Sequence, residues 1–359
     1  MNLHDKALRS EPGATAGKAA RQQTRRLNLA LQGGGAHGAF TWGVLDRLLD
    51  EERLSFEGVV ATSAGAMNAA VLAYGLAEGG RKGAQAALAN FWRRVSHAAA
   101  LSPLQPAPWE RLMGARSLEH SPAFLMFDLI TRMLSPYQFN PLNYNPLRNV
   151  LEQSVDLDAV RSAGCPLKVH LCATNVRTGK VKVFTNADLS IDAIMASACL
   201  PFLFQAVEID GEAYWDGGYM GNPAIFPLIY SCDTPDVLIV HINPIERLEL
   251  PKTAFDILNR INEISFNSSL LREMRAIAFV TRLIDNDMAG DLKLKRIFVH
   301  AISDDETMRS LSAASKLNAD WGALIELRDR GRTCADAWLK ANYAAIGERS
   351  TVDIEKTYL

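Results

Sequence analysis

The sequence has few cysteines and no long hydrophobic run, and both absences narrow the class of protein. Its 359 residues include five cysteines, none spaced as a CxxC pair or a metal-ligand set. We therefore expect free thiols in a reducing compartment and no metal site. The five are Cys165, Cys172, Cys199, Cys232 and Cys334. No apolar run is long enough to cross a bilayer, and residues 1–26 lack the apolar segment of a secretory signal. We expect a cytoplasmic protein whose contact with a membrane, where it occurs, is peripheral.

A basic excess is also missing. The net charge is −2, which argues against a general nucleic-acid-binding protein. Hydrophobic residues make up 48% of the chain and charged residues 22%, which are ordinary globular values. Residues 1–26 are polar and predict a flexible, solvated tail. The end of this tail is weakly basic, with Lys18, Arg21, Arg25 and Arg26.

A glycine-rich loop follows the first predicted strand. Leu27, Leu29 and Leu31 alternate with less apolar residues, then Gly33-Gly34-Gly35-Ala36-His37-Gly38 leads into an apolar stripe at helical spacing. The spacing fits a dinucleotide-binding fingerprint, for which Asp50, Glu51 and Glu52 would be the acidic residues. These acids fall in or just after the helix instead of at the tip of a second strand, where ribose recognition needs them. We therefore favour an oxyanion hole built from exposed backbone N–H groups.

The segment from Gly58 to Asn68 predicts a strand, a tight turn carrying Ser63, and a helix. This is the layout of a nucleophile elbow, Gly-x-Ser-x-Gly, with Ala61 in place of the first glycine and Gly65 at the last. An alanine is tolerated there when its φ stays negative. The alternative is that Ser63 is a polar residue capping a helix of small residues.

Asp216 ends the outgoing strand of a predicted hairpin and is followed by Gly217 and Gly218. The acid is either a turn residue or a general base, because apolar neighbours raise the pKa of a carboxylate. Tyr214 and Trp215 supply such neighbours.

Taken together, these blocks resemble the patatin-like phospholipase family. They are Gly33-Gly34-Gly35-x-x-Gly38, Ala61-x-Ser63-x-Gly65 and Asp216-Gly217-Gly218, in that family's order. The resemblance covers about residues 27–244 and includes the segment from Ala196 to Phe202. It implies a Ser–Asp dyad with Ser63 as nucleophile and Asp216 as general base. It further implies an oxyanion hole at Gly33, Gly34 and Gly35, with Gly38, Gly65, Gly217 and Gly218 supporting the motifs. No metal or cofactor is required.

Three alternatives stay open. A Ser–Asp–His triad would use His241 or His300, or His37 would act as the base, although strand histidines are more often structural. A non-catalytic lipid- or nucleotide-binding module would keep the scaffold without the chemistry. An intracellular polyhydroxyalkanoate or neutral-lipid esterase would use the same chemistry on another ester.

The predicted fold is a three-layer α/β/α domain with a mainly parallel sheet. We expect a catalytic part at residues 27–245 and a mostly helical part at 246–359 that completes the same domain. Residues 101–160 are rich in proline and interleaved with aromatics, which predicts a cap over the site, a surface-binding region or a packed irregular insertion. The expected activity is hydrolysis of carboxylic esters of lipids, and the sequence assigns no oligomeric state.

Overall fold

The computed structural model describes residues 24–100, 102, 122–288, 290, 292–312 and 314–359. Most of the predicted tail and part of the predicted 101–160 segment, namely 101 and 103–121, lie outside these residues. The first strand begins at Arg25, so the end of the predicted tail belongs to the sheet.

The described residues form a sheet of eight strands in the order β5-β6-β3-β2-β1-β7-β8, with β4 also paired to β3. The strands are β1 (Arg25–Leu31), β2 (Leu54–Thr62), β3 (Lys168–Asn175), β4 (Val181–Thr185), β5 (Val207–Ile209), β6 (Glu212–Asp216), β7 (Asp236–Val240) and β8 (Phe298–Ile302). The five strands from β3 to β8 along this order pair in parallel, and β4, β5 and β6 are antiparallel additions. The sheet is therefore mainly parallel, as predicted.

Helices cover both faces of the sheet. They are α1 (Gly38–Asp50), α2 (Ala64–Ala99), α3 (Pro122–Met133), α4 (Pro136–Phe139), α5 (Pro146–Glu152), α6 (Leu157–Arg161), α7 (Ile191–Ser197), α8 (Phe226–Ser231), α9 (Ala254–Asp285), α10 (Asp305–Ser310), α11 (Trp321–Asn342) and α12 (Ile354–Tyr358). One core cluster joins the sheet to α1, α2 and α11, and another joins the opposite face to α8 and α9. The three-layer α/β/α prediction is confirmed.

The first strand shows why the chain needs both layers. Its leucines pack into one core, while Ala30 packs into the other. Asn28 is also fully buried, and its side-chain amide donates to the Thr234 carbonyl. The alternation therefore does not mark a half-exposed strand, because the intervening residues are covered by the second layer.

Residues at the ends of the shorter elements explain where these elements begin and turn. Ser190 caps α7 by accepting from the Ala193 N–H. The β5–β6 hairpin turns at Asp210 and Gly211, which both have positive φ, the requirement of a type I′ Asp-Gly turn. In the C-terminal part, α9 and α11 are the long helices, and β8 forms one edge of the sheet.

Candidate active site

The sheet register brings Ser63 and Asp216 to the same place. Thr62 pairs with Cys172 on β3, and the next residue of β3, Ala173, pairs with Asp216 on the other side. Ser63 and Asp216 therefore flank one residue of β3, at the carboxyl edge of the parallel strands, where ligands of such sheets bind.

Ser63 adopts the strained backbone of a nucleophile elbow. Its φ is 56° and its ψ is −124°, a region that residues with side chains rarely occupy. The Ser63 N–H donates to the Ser197 hydroxyl over 3.0 Å, and that hydroxyl donates to the Cys172 carbonyl over 2.7 Å. Although Ser63 stands at the N-cap of α2, its side chain makes no capping hydrogen bond. The capping interpretation of this serine is therefore wrong, and its hydroxyl is left for another role.

Close packing around the turn requires glycine. A β-carbon at Gly33 would lie 2.5 Å from the Ser63 β-carbon, and one at Gly65 would lie 2.5 Å from the Leu31 carbonyl oxygen. Ala61 is fully buried within β2 and, as the prediction required, its φ is not positive. Its methyl group is thus accommodated by the strand.

Asp216 is fully buried at the end of β6. One carboxylate oxygen, Oδ1, accepts from the Gly218 N–H over 2.7 Å, while Oδ2 makes no hydrogen bond of standard geometry. Burial raises the pKa of Asp216 to about 7, opposed by the Gly218 N–H and by the Ser63 hydroxyl. The two side chains thus interact, but the contact is looser than a standard hydrogen bond. Such loose contacts are common in unliganded sites.

The glycines after Asp216 seat its strand against its neighbours. A β-carbon at Gly217 would lie 2.1 Å from the Cys172 carbonyl oxygen, and one at Gly218 would lie 2.7 Å from the Phe266 ring. On the other loop, a β-carbon at Gly38 would lie 2.8 Å from the Ala64 side chain. The supporting glycines are therefore positions of close approach.

The glycine-rich loop contributes differently from the prediction. The Gly33 N–H donates to the Asn222 side-chain oxygen over 2.7 Å. Gly33 is therefore not an oxyanion donor in this arrangement, and that part of the prediction is wrong. Gly34 and Gly35 line the same cavity as Ser63, and no acceptor for their N–H groups occurs among the described residues. These two groups remain the candidate donors.

Buried amides fix the loop. The Gln32 side-chain oxygen accepts from the N–H groups of Ile242 and Asn243 over 3.0 Å each, and the Asn243 amide donates to the Gly33 carbonyl over 2.6 Å. The Gln32 amide in turn donates to Asn267 on α9. Sequence reasoning missed Asn222, Asn243 and Asn267, because no spacing relates them to the loop they hold.

The acids of the dinucleotide interpretation lie elsewhere. Asp50 ends α1, and β2 begins at Leu54, so the acids stand at the amino edge of the sheet, away from the loop. Asp50 pairs with Arg332 and Glu51 pairs with Arg53. The dinucleotide interpretation is wrong.

None of the three candidate histidines joins Ser63. His37 Nε2 lies 2.7 Å from the Ser315 hydroxyl, and burial, with Lys316 and Arg247 nearby, lowers the pKa of His37 to about 3. His241 Nε2 lies 2.7 Å from the Tyr358 hydroxyl, and burial lowers its pKa to about 4. His300 contacts Asp236 and Thr351. The triad alternative is therefore not supported by the arrangement of these side chains.

A cavity of about 230 Å³, which we call the site cavity, opens over Ser63. Helices α3 and α9 each supply part of its wall, and the remainder comes from loops. Its lining residues are Gly34, Gly35, Ser63, Phe124, Phe127, Asp128, Thr131, Leu200, Leu203, Tyr219, Asn259, Asn262, Phe266, Lys316 and Leu317. The described residues contain no group of histidine, cysteine and acidic side chains able to hold a metal ion.

Comparison with known proteins identifies the family. The Patatin family profile, described as patatin-like phospholipase, matches residues 29–229, more than half of the chain. The chain therefore belongs to the patatin-like phospholipase family. No curated protein sequence matches it significantly.

Two solved structures show a distant similarity to this chain. VipD from Legionella pneumophila is 16% identical, with a TM-score of 0.36, over 85% of this chain and 67% of its own. A chain of the heterodimeric ExoU–SpcU complex, from the type III secretion system of Pseudomonas aeruginosa, is 17% identical. Its TM-score is 0.32, over 94% of this chain and 66% of its own. This chain thus spans about two thirds of the length of these structures.

Proposed function

We propose that this protein hydrolyses carboxylic esters of lipids through a Ser63–Asp216 dyad and an acyl-enzyme intermediate. One observation carries the proposal. A serine hydroxyl with no capping bond faces a fully buried carboxylate whose Oδ2 lacks a hydrogen bond. Both groups stand beside the N–H groups of Gly34 and Gly35, for which the described residues offer no hydrogen-bond acceptor.

In the proposed reaction, Ser63 Oγ attacks the ester carbonyl carbon while Asp216 Oδ2 accepts the hydroxyl proton. The carbonyl oxygen becomes an oxyanion that the N–H groups of Gly34 and Gly35 stabilise, each donor contributing about 3 kcal/mol. The carbon–oxygen bond to the alcohol then breaks, and the alcohol leaves with the proton. Asp216 next takes a proton from water, whose oxygen attacks the acyl-enzyme carbonyl carbon. The carbon–oxygen bond to Ser63 then breaks, Asp216 returns the proton to Ser63 Oγ, and the fatty acid is released.

The pKa of Asp216 supports its role as the base. An ordinary aspartate, with a pKa of about 3.9, is a weak proton acceptor at neutral pH. Burial raises this pKa to about 7, close to the pH at which a general base is most effective.

The proposal is tested with purified protein and a panel of phospholipids, lysolipids, glycerides and polyhydroxybutyrate. We expect turnover of the lipid esters with release of fatty acid. The absence of turnover on every ester, with lipid still bound, would instead identify a non-catalytic module. Turnover of polyhydroxybutyrate or glycerides alone would identify the alternative esterase.

A second cavity, which we call the side cavity, offers a place for the acyl chain. It has a volume of about 650 Å³ and shares Thr131 and Tyr219 with the site cavity. Its wall is mainly apolar and includes Val176, Phe202 and Trp215. Sites for small ligands have this size and apolar character. We therefore assign the side cavity to the acyl chain of the scissile ester.

Filling the side cavity should change chain-length selectivity. Replacement of Val176 by tryptophan is expected to lower the ratio of activity on p-nitrophenyl palmitate to activity on p-nitrophenyl butyrate by at least about tenfold. A tenfold loss corresponds to the burial of fewer than two methylene groups of the acyl chain. The change should be absent from Val176→Ala, which enlarges the cavity. Equal losses on both esters in Val176→Trp would contradict the assignment.

The outer face of α3 provides a surface for contact with lipid. Leu125, Met126, Leu129 and Met133 are each more than half exposed, while Phe124, Phe127 and Thr131 on the inner face line the site cavity. The same helix therefore borders the site and presents apolar side chains outward. We propose that this face meets the surface of a phospholipid membrane. No helix among the described residues is both long and apolar enough to span a bilayer.

The double variant Leu125→Ser/Leu129→Ser should lose most of its activity on phospholipid vesicles and its cosedimentation with them, since both contacts would be removed. Its activity on soluble p-nitrophenyl butyrate should stay unchanged. Phe279→Ser is the control, because Phe279 is 60% exposed on α9, about 20 Å along that helix from Phe266. Unchanged vesicle binding in the double variant would contradict the docking of α3.

A further inference from the structure

Lys316 lies on the wall of the site cavity, beside the glycine-rich loop. It belongs to a 3-10 turn (Ala314–Leu317) far beyond the segment that matches the family profile. A β-carbon at Gly35 would lie 2.4 Å from the Lys316 carbonyl oxygen, so the two backbones are in contact. Lys316 is therefore fixed next to the proposed oxyanion donors.

The charge of Lys316 is not neutralised by an ion pair. Its Nζ donates to the Asn243 side-chain oxygen over 3.2 Å, and no carboxylate of the described residues lies within ion-pair distance of it. An ammonium group has three donors, so two remain for a ligand. The only acid on the cavity wall among the described residues, Asp128, is paired with Arg132.

The neighbouring ionisable groups do not cancel the positive charge of Lys316. Glu263 is near Lys316 but outside the lining of the site cavity, and its carboxylate is shared by Arg247 and Arg260. His37, on the same side, is neutral at physiological pH because its pKa is lowered to about 3. Burial, together with the charge of Arg247, lowers the pKa of Lys316 despite the opposing effect of Glu263. A partly buried ammonium in this setting is stabilised by an anion in the cavity.

We propose that Lys316 binds the phosphate group of a glycerophospholipid, an inference that rests on the proposed function. This contact would make the site selective for phospholipids over neutral esters. The phosphate of such a lipid is separated from the scissile ester by a few covalent bonds. Lys316 lines the same cavity as Ser63, Gly34 and Gly35, while the side cavity assigned to the acyl chain shares Thr131 and Tyr219 with that cavity but is not lined by Lys316. Electrostatic attraction is strong there because the cavity is partly excluded from water.

The test compares two soluble diacyl esters that differ only in the headgroup, dihexanoyl phosphatidylglycerol and dihexanoylglycerol. In Lys316→Met we expect kcat/KM on the phosphatidylglycerol to fall by about 10- to 100-fold, as for a lost hydrogen bond to a charged group. Activity on dihexanoylglycerol should stay within about twofold of wild type. Lys316→Arg should recover most of the loss, because it restores the charge.

Lys82→Met, at an 84% exposed lysine side chain on α2, changes the net charge equally and should leave both activities unchanged. Equal losses on both esters in Lys316→Met would assign Lys316 to holding the loop and overturn the proposal, as would the absence of any loss. A third outcome would also overturn the proposal. If inorganic phosphate inhibits both reactions only when Lys316 is present, and Lys316→Met does not distinguish the two esters, Lys316 binds a free anion instead of the lipid phosphate. If wild type cleaves neither ester, the proposed function fails as well.

Discussion

Replacement of Ser63 by alanine is expected to lower kcat on every ester substrate by about 10⁴-fold or more, because no other group can form the acyl-enzyme. The fold should be unaffected. Alanine has the same backbone preferences as serine at the positive φ of this turn, and the Ser63 side chain makes no capping bond that would be lost. The measurement is steady-state hydrolysis of p-nitrophenyl butyrate, with thermal unfolding as the check on folding.

Ser197→Ala is the matched comparison for this variant. Ser197 is also a fully buried serine near the site, but its hydroxyl is occupied by the Ser63 N–H and the Cys172 carbonyl. Its loss should loosen the turn and reduce kcat far less than the loss of Ser63 does. Activity of Ser63→Ala within tenfold of wild type would show that Ser63 is not the nucleophile.

Asp216→Asn is expected to reduce kcat/KM by at least about 10³-fold, since an amide cannot accept the Ser63 proton. In wild type, kcat/KM should be half-maximal near pH 7, where Asp216 loses its proton, and should fall about tenfold per pH unit below it. The pH profile and the variant therefore report the same group. A profile that is flat between pH 5 and pH 8 would exclude Asp216 as the base.

Asp216→Asn, which should reduce activity, should increase the stability of the folded protein at pH 8. The folded-state pKa of Asp216 is raised from 3.8 to about 7, so the folded protein binds a proton that the unfolded chain releases. The stabilisation associated with this proton is complete below the unfolded pKa and is lost as the pH rises through about 7. An amide does not titrate, so Asp216→Asn avoids the loss.

We therefore expect the free energy of unfolding of Asp216→Asn to exceed that of wild type at pH 8 by up to about 4 kcal/mol, three pKa units at about 1.4 kcal/mol each. The difference should shrink as the pH is lowered toward 4. Denaturant unfolding at a series of pH values measures it. A variant less stable than wild type at pH 8 would show that Asp216 is held ionised by contacts that favour its charge.

The parts of the site that could be predicted from the sequence are those whose signal lies in residues close together along the chain. The turn around Ser63 needs small residues on either side, and the Asp216-Gly217-Gly218 block needs glycines where strands approach closely, so both leave a local pattern. The mainly parallel sheet and the Asp-Gly hairpin turn follow from patterns of the same kind.

The parts that sequence did not predict depend on contacts between distant segments. The Gly33 N–H is satisfied by Asn222, a residue 189 positions away that belongs to no motif. Lys316 reaches the site cavity from a 3-10 turn in the C-terminal part, where a lone lysine carries no signal of its own. Burial of Asn28 likewise depends on the second helical layer and on Thr234.

Covalent labelling by a fluorophosphonate probe, followed as a function of pH and mapped by peptide mass spectrometry, tests the central claim most directly. A serine activated by a buried carboxylate should gain one adduct at Ser63, with a rate that rises to half its maximum near pH 7 and falls sharply in Asp216→Asn. Single His→Ala variants at positions 37, 241 and 300 should retain the labelling. An adduct on another residue, or labelling of Ser63 that survives in Asp216→Asn but is lost in one of the histidine variants, would contradict the account.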